Sequence, residues 1–321
     1  MPQTINPSAE HEERFLVRIA WACEIEGLTQ ADAAERFGVT RLRVNKALAE
    51  ARKRGLVKVS INSQFSACAE AEFEIRNRFA LDEVHVAPLS DRHGTVKELI
   101  GYYLGQYLDR ILASSSIQRF GLGWGTTLNF AMQHMRRLNR SDMEIMSVMG
   151  CVTRASDVNI IESTRLLANL CNAQKRYFTA PLYATSKKSR DTVIKQEVFR
   201  QMLDRIRNVD ALAMTVGDAS SMSDMIRDGL PSSVTPQDLV DAGAVGDALG
   251  YYLDCNGKPI DHSINGCVIG MQLADLGNIP NVILAAGGQH KHRIIRAMLS
   301  LDLVNTLITD QVTAEYLLKN N

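Results

Sequence analysis

The chain has 321 residues, 45% hydrophobic and 22% charged, with a formal net charge of +0, which fits a globular protein of about two domains with ample chain for a core. Residues 1–10 are polar and no apolar run approaches the ~18–20 residues that span a bilayer, so neither a signal peptide nor a membrane segment is expected. The six cysteines (Cys23, Cys68, Cys151, Cys171, Cys255, Cys267) contain no Cys-x-x-Cys pair, which argues against a zinc site and a disulfide framework; a cytoplasmic protein without metal or cofactor is expected.

Residues 1–9 read as a loose tail. His11 to Glu26 predicts a helix, with Phe15, Leu16, Ile19, Ala20 and Ile25 as its apolar stripe. The next stretch, 28–58, predicts two short helices and a tight turn. Thr29 caps the first helix, with Asp32 three residues on as in a capping box. Gly38 suits the positive φ of a helix end. Thr40 caps a second helix whose apolar positions are Leu42, Val44, Ala47, Leu48 and Ala51. This is the pattern of a helix-turn-helix, whose second helix enters the DNA major groove. From Arg41 to Lys58 the chain carries seven basic residues against one acidic, in a protein that is neutral overall. A basic stripe suits phosphates; the alternative is a solvated face on an ordinary core helix. Arg41, Arg43 and Asn45 suit base edges. Lys46, Arg52, Lys53 and Arg54 suit the DNA backbone, with Thr40 at the same helix end. Leu56 to Ile61 alternates apolar and polar residues, predicting a strand that would make the unit winged.

Asn62-Ser63-Gln64 marks the boundary, giving a DNA-binding domain over 1–62 and a second domain over 63–321. Helices are predicted at 68–79, 91–112, 128–137, 158–170, 191–207, 238–242, 290–299 and 313–319. Between them lie short apolar strands at 84–87, 118–122, 143–149, 176–180, 211–216, 282–286 and 306–309. The segment 245–253 and a strand near Val268 predict a hairpin region around Asn256-Gly257. Such alternation predicts a mostly parallel sheet covered on both faces, an α/β body of Rossmann-like type.

Ligands of such sheets bind beyond the carboxyl ends of the strands. Three glycine turns fall there. In Gly121-Leu122-Gly123-Trp124-Gly125-Thr126-Thr127, a strand runs into a helix, so Gly123, Gly125, Thr126 and Thr127 are anion-binding candidates. It is neither a P-loop nor a dinucleotide fingerprint, and a turn that binds nothing is the alternative. The second is Val216-Gly217-Asp218-Ala219-Ser220, with Gly217 as the candidate. The third is Ala286-Gly287-Gly288-Gln289-His290-Lys291, where Lys291 would stand in a first helical turn, unfavourable to a cation unless an anion is near. Asp247 and Asp310 are candidates for binding ligand hydroxyls; for Asp310 helix capping is the stronger reading. The histidines show no metal-ligand spacing, and no Ser/His/Asp set can be assigned.

Taken in order, Leu28 to Ile61, Gly123-Trp124-Gly125-Thr126-Thr127, Val245-Gly246-Asp247, Asp261-His262-Ser263-Ile264-Asn265-Gly266, Ala286 to Lys291 and Leu307-Ile308-Thr309-Asp310 resemble the SorC family of bacterial transcriptional regulators. The resemblance spans nearly the whole chain. It implies a sugar-binding domain related to phosphosugar isomerases and deaminases, an effector that is a sugar, polyol or phosphosugar, double-stranded operator DNA as partner, and a homo-oligomer, dimer or tetramer. It matches Gly125, Thr126 and Thr127 to the effector phosphate loop, Lys291 to a phosphate-facing lysine and Asp247 to a Gly-Asp element near the pocket. After Met149-Gly150 this chain has Cys151-Val152 where many members carry Gly-Gly. The closest likeness is to regulators of polyol catabolism, such as that of erythritol. The rival reading is an enzyme of the isomerase or deaminase type with a DNA-binding appendage; a protein-docking role for the N-terminal helices is a third.

Overall fold

The computed structural model describes residues 7–57, 63, 66–88, 94–152 and 160–320. The chain divides into two compact units, Met1–Gln64 and Phe65–Asn321.

The first unit holds α1 (Pro7–Glu24), α2 (Gln30–Arg36) and α3 (Arg41–Lys53). Thr29 and Asp32 exchange both bonds of a capping box at the start of α2, and Gly38 turns the chain at φ 63°. Thr40 then caps α3 by accepting from the Arg43 amide. Leu16 and Ile19 of α1, Ala33 of α2, and Val44, Leu48 and Ala51 of α3 close one apolar core. Two expected core residues lie outside it. Ile25 is 66% exposed because α1 ends at Glu24. Leu42 is 65% exposed because two residues on a helix are roughly 200° apart, and Val44 takes the inward direction. The expected strand over Leu56 to Ile61 lies mostly outside the described residues.

The second unit runs α4 (Ser66–Arg78), β1 (Glu83–Ala87), α5 (Val96–Leu112), β2 (Arg119–Leu122), α6 (Thr126–Gln133), β3 (Glu144–Ser147), α7 (Ile160–Leu170), β4 (Gln174–Arg176), α8 (Lys187–Ile194), α9 (Glu197–Ile206), β5 (Ala211–Met214), β6 (Val216–Asp218), α10 (Pro236–Asp241), β7 (Gly246–Ala248), β8 (Tyr251–Leu253), β9 (Val282–Ala285), α11 (His292–Leu299), β10 (Thr306–Asp310) and α12 (Gln311–Lys319). Seven strands form one parallel sheet in the order β1-β10-β9-β5-β2-β3-β4. Its central strand β5 is wholly buried, as the apolar run Ala211-Leu212-Ala213-Met214 requires of a sheet covered on both faces. From β2 the chain steps outward through β3 to β4, and from β5 the other way through β9 to β10. The order therefore reverses between β2 and β5, which opens a crevice at their carboxyl ends. A small antiparallel sheet, β6-β7-β8, continues from the end of β5.

Helix α5 packs on α6 through two glycines. A Cβ on Gly101 would lie 2.5 Å from the Phe130 Cβ, and one on Gly105 2.6 Å from the Ala131 carbonyl oxygen. Buried Arg140 donates to the carbonyls of Leu112 and Ile117, each at 2.7 Å, and so closes the C-terminal end of α5.

Several expected elements differ. The helix foreseen over 191–207 is two, α8 and α9, broken at Lys195-Gln196. The strand foreseen over 176–180 is β4, an exposed edge strand ending at Arg176. The hairpin near 245–268 turns at Leu249-Gly250 (φ 52° and 85°) between β7 and β8. Asn256-Gly257 does reverse the chain, but only to a single bridge between Leu253 and Pro259, and Val268 bridges Tyr183 instead. The Asn-Gly signal was strong locally, yet the pairing went to the strand whose three residues, Tyr251-Tyr252-Leu253, are buried.

Candidate functional site

A cavity opens at the β2/β5 crevice. Its lining includes Lys97 from the start of α5, Gly125, Thr126 and Thr127 at the start of α6, Gly217 and Asp218 of β6, Ser223 and Asp224 from the following loop, Asp247 of β7, and His290 and Lys291 ahead of α11. Six of the seven expected effector residues meet here. The seventh, Gly123, does not line it: its amide donates to the Ala213 carbonyl at 2.8 Å, and a Cβ would press on Met214 at 3.2 Å. Gly123 thus serves the packing of β2 on β5.

Gly125 has φ 147°, and a Cβ there would lie 2.3 Å from the Thr215 hydroxyl, which itself donates to the Trp124 carbonyl. Glycine is therefore required for the turn to close against β5. Gly217 pairs with Asp247 across β6 and β7; a Cβ would stand 2.3 Å from Asp247 Oδ1 and 2.7 Å from Ser223 Oγ.

The charges are unusually enclosed. Burial pushes the Asp247 carboxyl up to about 6, against the pull of the Gly250 amide and Lys291. Burial pushes the Lys291 ammonium down to about 8; Lys97 adds to this, while Asp218, Asp224 and Asp247 oppose it. Burial also lowers His290. Asp247 Oδ1, Asp218 Oδ1 and Ser223 Oγ are buried and find no hydrogen-bond partner among the described residues. Such atoms destabilise a fold unless something else satisfies them. Lys291 was expected in a first α-helical turn; it closes a short 3₁₀ turn, Gln289–Lys291, and is the N-cap residue of α11. Asp310 caps α12 by accepting from the Thr313 amide and lies off this cavity's lining.

Sequence reasoning missed Lys97, Ser223 and Asp224 and did not select Asp218. Lys97 stands in the first turn of α5, but in the longer helix expected over 91–112 it falls past that turn, where a cation gives no signal. Asp218 sat in a glycine turn already singled out. Ser223 and Asp224 lie in an irregular segment ahead of a π-helical turn, Met225–Gly229, with no periodicity to read.

In the first unit, Arg41, Leu42, Arg43, Asn45 and Lys46 line the exposed side of α3. The Arg43 guanidinium lies 5.0 Å over the Phe15 ring of α1. Arg52 pairs with Glu24 at 2.7 Å, and Arg54 with Glu50 at 2.6 Å and Glu12 at 3.3 Å. Part of the basic charge is thus balanced within the unit, and Arg52 and Arg54 also tie α3 to α1.

The sequence profile described as "Putative sugar-binding domain" matches residues 63–319. The transcriptional regulator LsrR of Escherichia coli O139:H28 is 30% identical over 99% of this chain and 100% of its own length. The chain belongs to the SorC-type sugar-binding transcriptional regulators. Among its relatives, the erythritol catabolism regulatory protein EryD of Brucella abortus is 24% identical over 97% of this chain and 98% of its own. The full-length sorbitol operon regulator SorC of Klebsiella pneumoniae has the same fold, with a TM-score of 0.69 at 20% identity over 95% of this chain and 98% of that one. The family's mixed α/β body with a mostly parallel sheet is the second unit. Among the described residues, no helix is long and apolar enough to cross a membrane.

Proposed function

We propose that the protein is a cytoplasmic regulator that binds operator DNA through α3 and changes that binding when a sugar, polyol or phosphosugar enters the β2/β5 cavity. The observation that carries the effector half is that Asp218, Ser223 and Asp247, each with a buried oxygen unpartnered among the described residues, line one cavity at the switch point of the sheet. The DNA half is supported by the capped pair α2–α3 and by the exposed basic and amide side chains Arg41, Arg43, Asn45 and Lys46. Thr40 caps the helix, and Lys53 joins Lys46 as a phosphate contact. Arg52 and Arg54 contribute mainly through α1. The effector body keeps the family's kinship to phosphosugar isomerases and deaminases.

One recognition helix offers too little contact for a specific site, so the protein works as a dimer or tetramer that sets two helices at half-site spacing. Effector binding then shifts the population of oligomer arrangements, which requires different affinity for each. A gel-shift titration of the full chain on DNA from its own operon tests this. Sharpened binding to one fragment, lost on Arg41→Ala, weakened on Lys46→Ala and altered by a sugar or polyol, is the expected result; binding indifferent to sequence and to every ligand would defeat it. The enzyme reading would need the Asp247 carboxylate or His290 to move a proton α to a carbonyl, and turnover of pentose or glucosamine phosphates would favour it.

A further inference from the structure

The loop that opens α6 was expected to hold an effector phosphate. Its Thr126 hydroxyl, together with Lys97 and Arg227 from outside the loop, already meets an anion belonging to the chain. The Thr126 hydroxyl donates to Asp224 Oδ2 at 2.7 Å, Lys97 Nζ lies 3.4 Å from the same oxygen, and Arg227 Nη2 reaches Oδ1 at 3.1 Å. Both carboxylate oxygens are therefore engaged, and the donors span three separate segments. Burial pushes the Asp224 carboxyl up, but Thr126, Lys97 and Arg227 outweigh it and hold the group below the usual carboxylate range.

We propose that Asp224 is a built-in anion that fills the α6 loop and excludes phosphorylated ligands, so that the effector of this chain is an uncharged polyol. The inference rests on the effector-pocket reading above and narrows it. Two further observations bear on the ligand class. The lining carries three carboxylates, Asp218, Asp224 and Asp247, against the ammonium groups of Lys97 and Lys291. With the Arg227 guanidinium on Asp224 the set is about balanced, and a phosphate monoester would add roughly −1.5 to −2 charges that nothing in it offsets. The unpartnered atoms point the same way. Asp218 Oδ1 and Asp247 Oδ1 only accept, so a ligand group that reaches them has to donate, whereas Lys291 only donates. A hydroxyl does both, and a row of hydroxyls on adjacent carbons serves several such groups at once; a phosphate at neutral pH is chiefly an acceptor.

The test is thermal unfolding of the full chain with three probes: inorganic phosphate against chloride at equal ionic strength, a panel of four- to six-carbon polyols, and the monophosphates of the same polyols. The wild type and Asp224→Asn are compared, with Asp224→Ser as a second variant should the amide disturb folding. A ligand that binds the native state raises the transition temperature. The expected result is a wild type raised by at least one free polyol and by neither its monophosphate nor phosphate, while removal of the carboxylate improves apparent phosphate affinity by about tenfold or more. A wild type stabilised by phosphate, or more by a monophosphate than by its parent polyol, overturns the proposal, because Asp224 would then be yielding its place. Failure of phosphate to stabilise wild type and both variants alike also overturns it, since the loop would be no anion site. If the phosphate contrast holds but no polyol acts, the built-in anion stands, and the sensor reading that supplied the ligand class falls.

Discussion

Asp247 and Lys291 share one enclosed space, and their protons report on what enters it. Asp247 binds its proton more tightly in the native state, up to about 6, than in the unfolded chain. Its ionisation therefore removes stability as pH rises from about 4 through about 6. Lys291, pushed down to about 8, does the opposite: stability is lost as pH falls from about 10.5 through about 8. A polyol that donates to Asp247 favours the carboxylate and pulls its pKa back down. Binding should thus release protons and tighten as pH rises through about 6. Calorimetric titration near pH 6 in buffers of different ionisation enthalpy measures this directly, and Asp247→Asn should abolish the proton release. Gly217→Ala makes a geometric prediction at the same scale. The new methyl would sit 2.3 Å from Asp247 Oδ1, so the cavity floor must shift. Ligand response should fall by at least about tenfold, equivalent to about 1.4 kcal/mol, with the sheet still folded by circular dichroism.

At the scale of elements, caps and close approaches carry the account. Thr40→Ala removes the bond to the Arg43 amide and should cost about 1 kcal/mol in denaturant unfolding of the first unit. Gly105→Ala drives a methyl to 2.6 Å from the Ala131 carbonyl oxygen and should destabilise the second unit by about 1–3 kcal/mol. Both caps of the helix pair were legible in the sequence, because Thr29-x-x-Asp32 and Thr40 act within a few residues of themselves. The buried strands β5 and β9 were legible for a related reason, since continuous apolar runs leading into glycine turns have few other uses. What escaped depended on tertiary partners. Nothing local assigns Asp224 to the Thr126 hydroxyl 98 residues away, and nothing local says that Leu249 adopts a positive φ to close the β7–β8 turn. Gly123 was misassigned because a glycine that faces a neighbouring strand and one that faces a ligand look identical in a motif.

For the molecule as a whole, a neutral chain presents a cluster of basic groups on α3 and gathers opposed charges inside the α/β body. DNA affinity should fall steeply with salt, and Lys46→Ala should reduce the slope of log affinity against log salt by about 1 while weakening specific and random DNA alike. Arg52→Ala and Arg54→Ala should act differently. Their ion pairs to Glu24 and Glu12 make them ties between α1 and α3, so lost unit stability should accompany any lost affinity. The central claim is that the cavity at the β2/β5 crevice governs what α3 does on DNA. Fluorescence anisotropy of the full chain on an operator fragment, with and without a saturating polyol identified by thermal shift, tests it most directly. The account predicts a change in apparent Kd of at least about fivefold, abolished by Gly217→Ala although that variant still binds the operator. An unchanged Kd in the presence of a polyol that binds the cavity would contradict it.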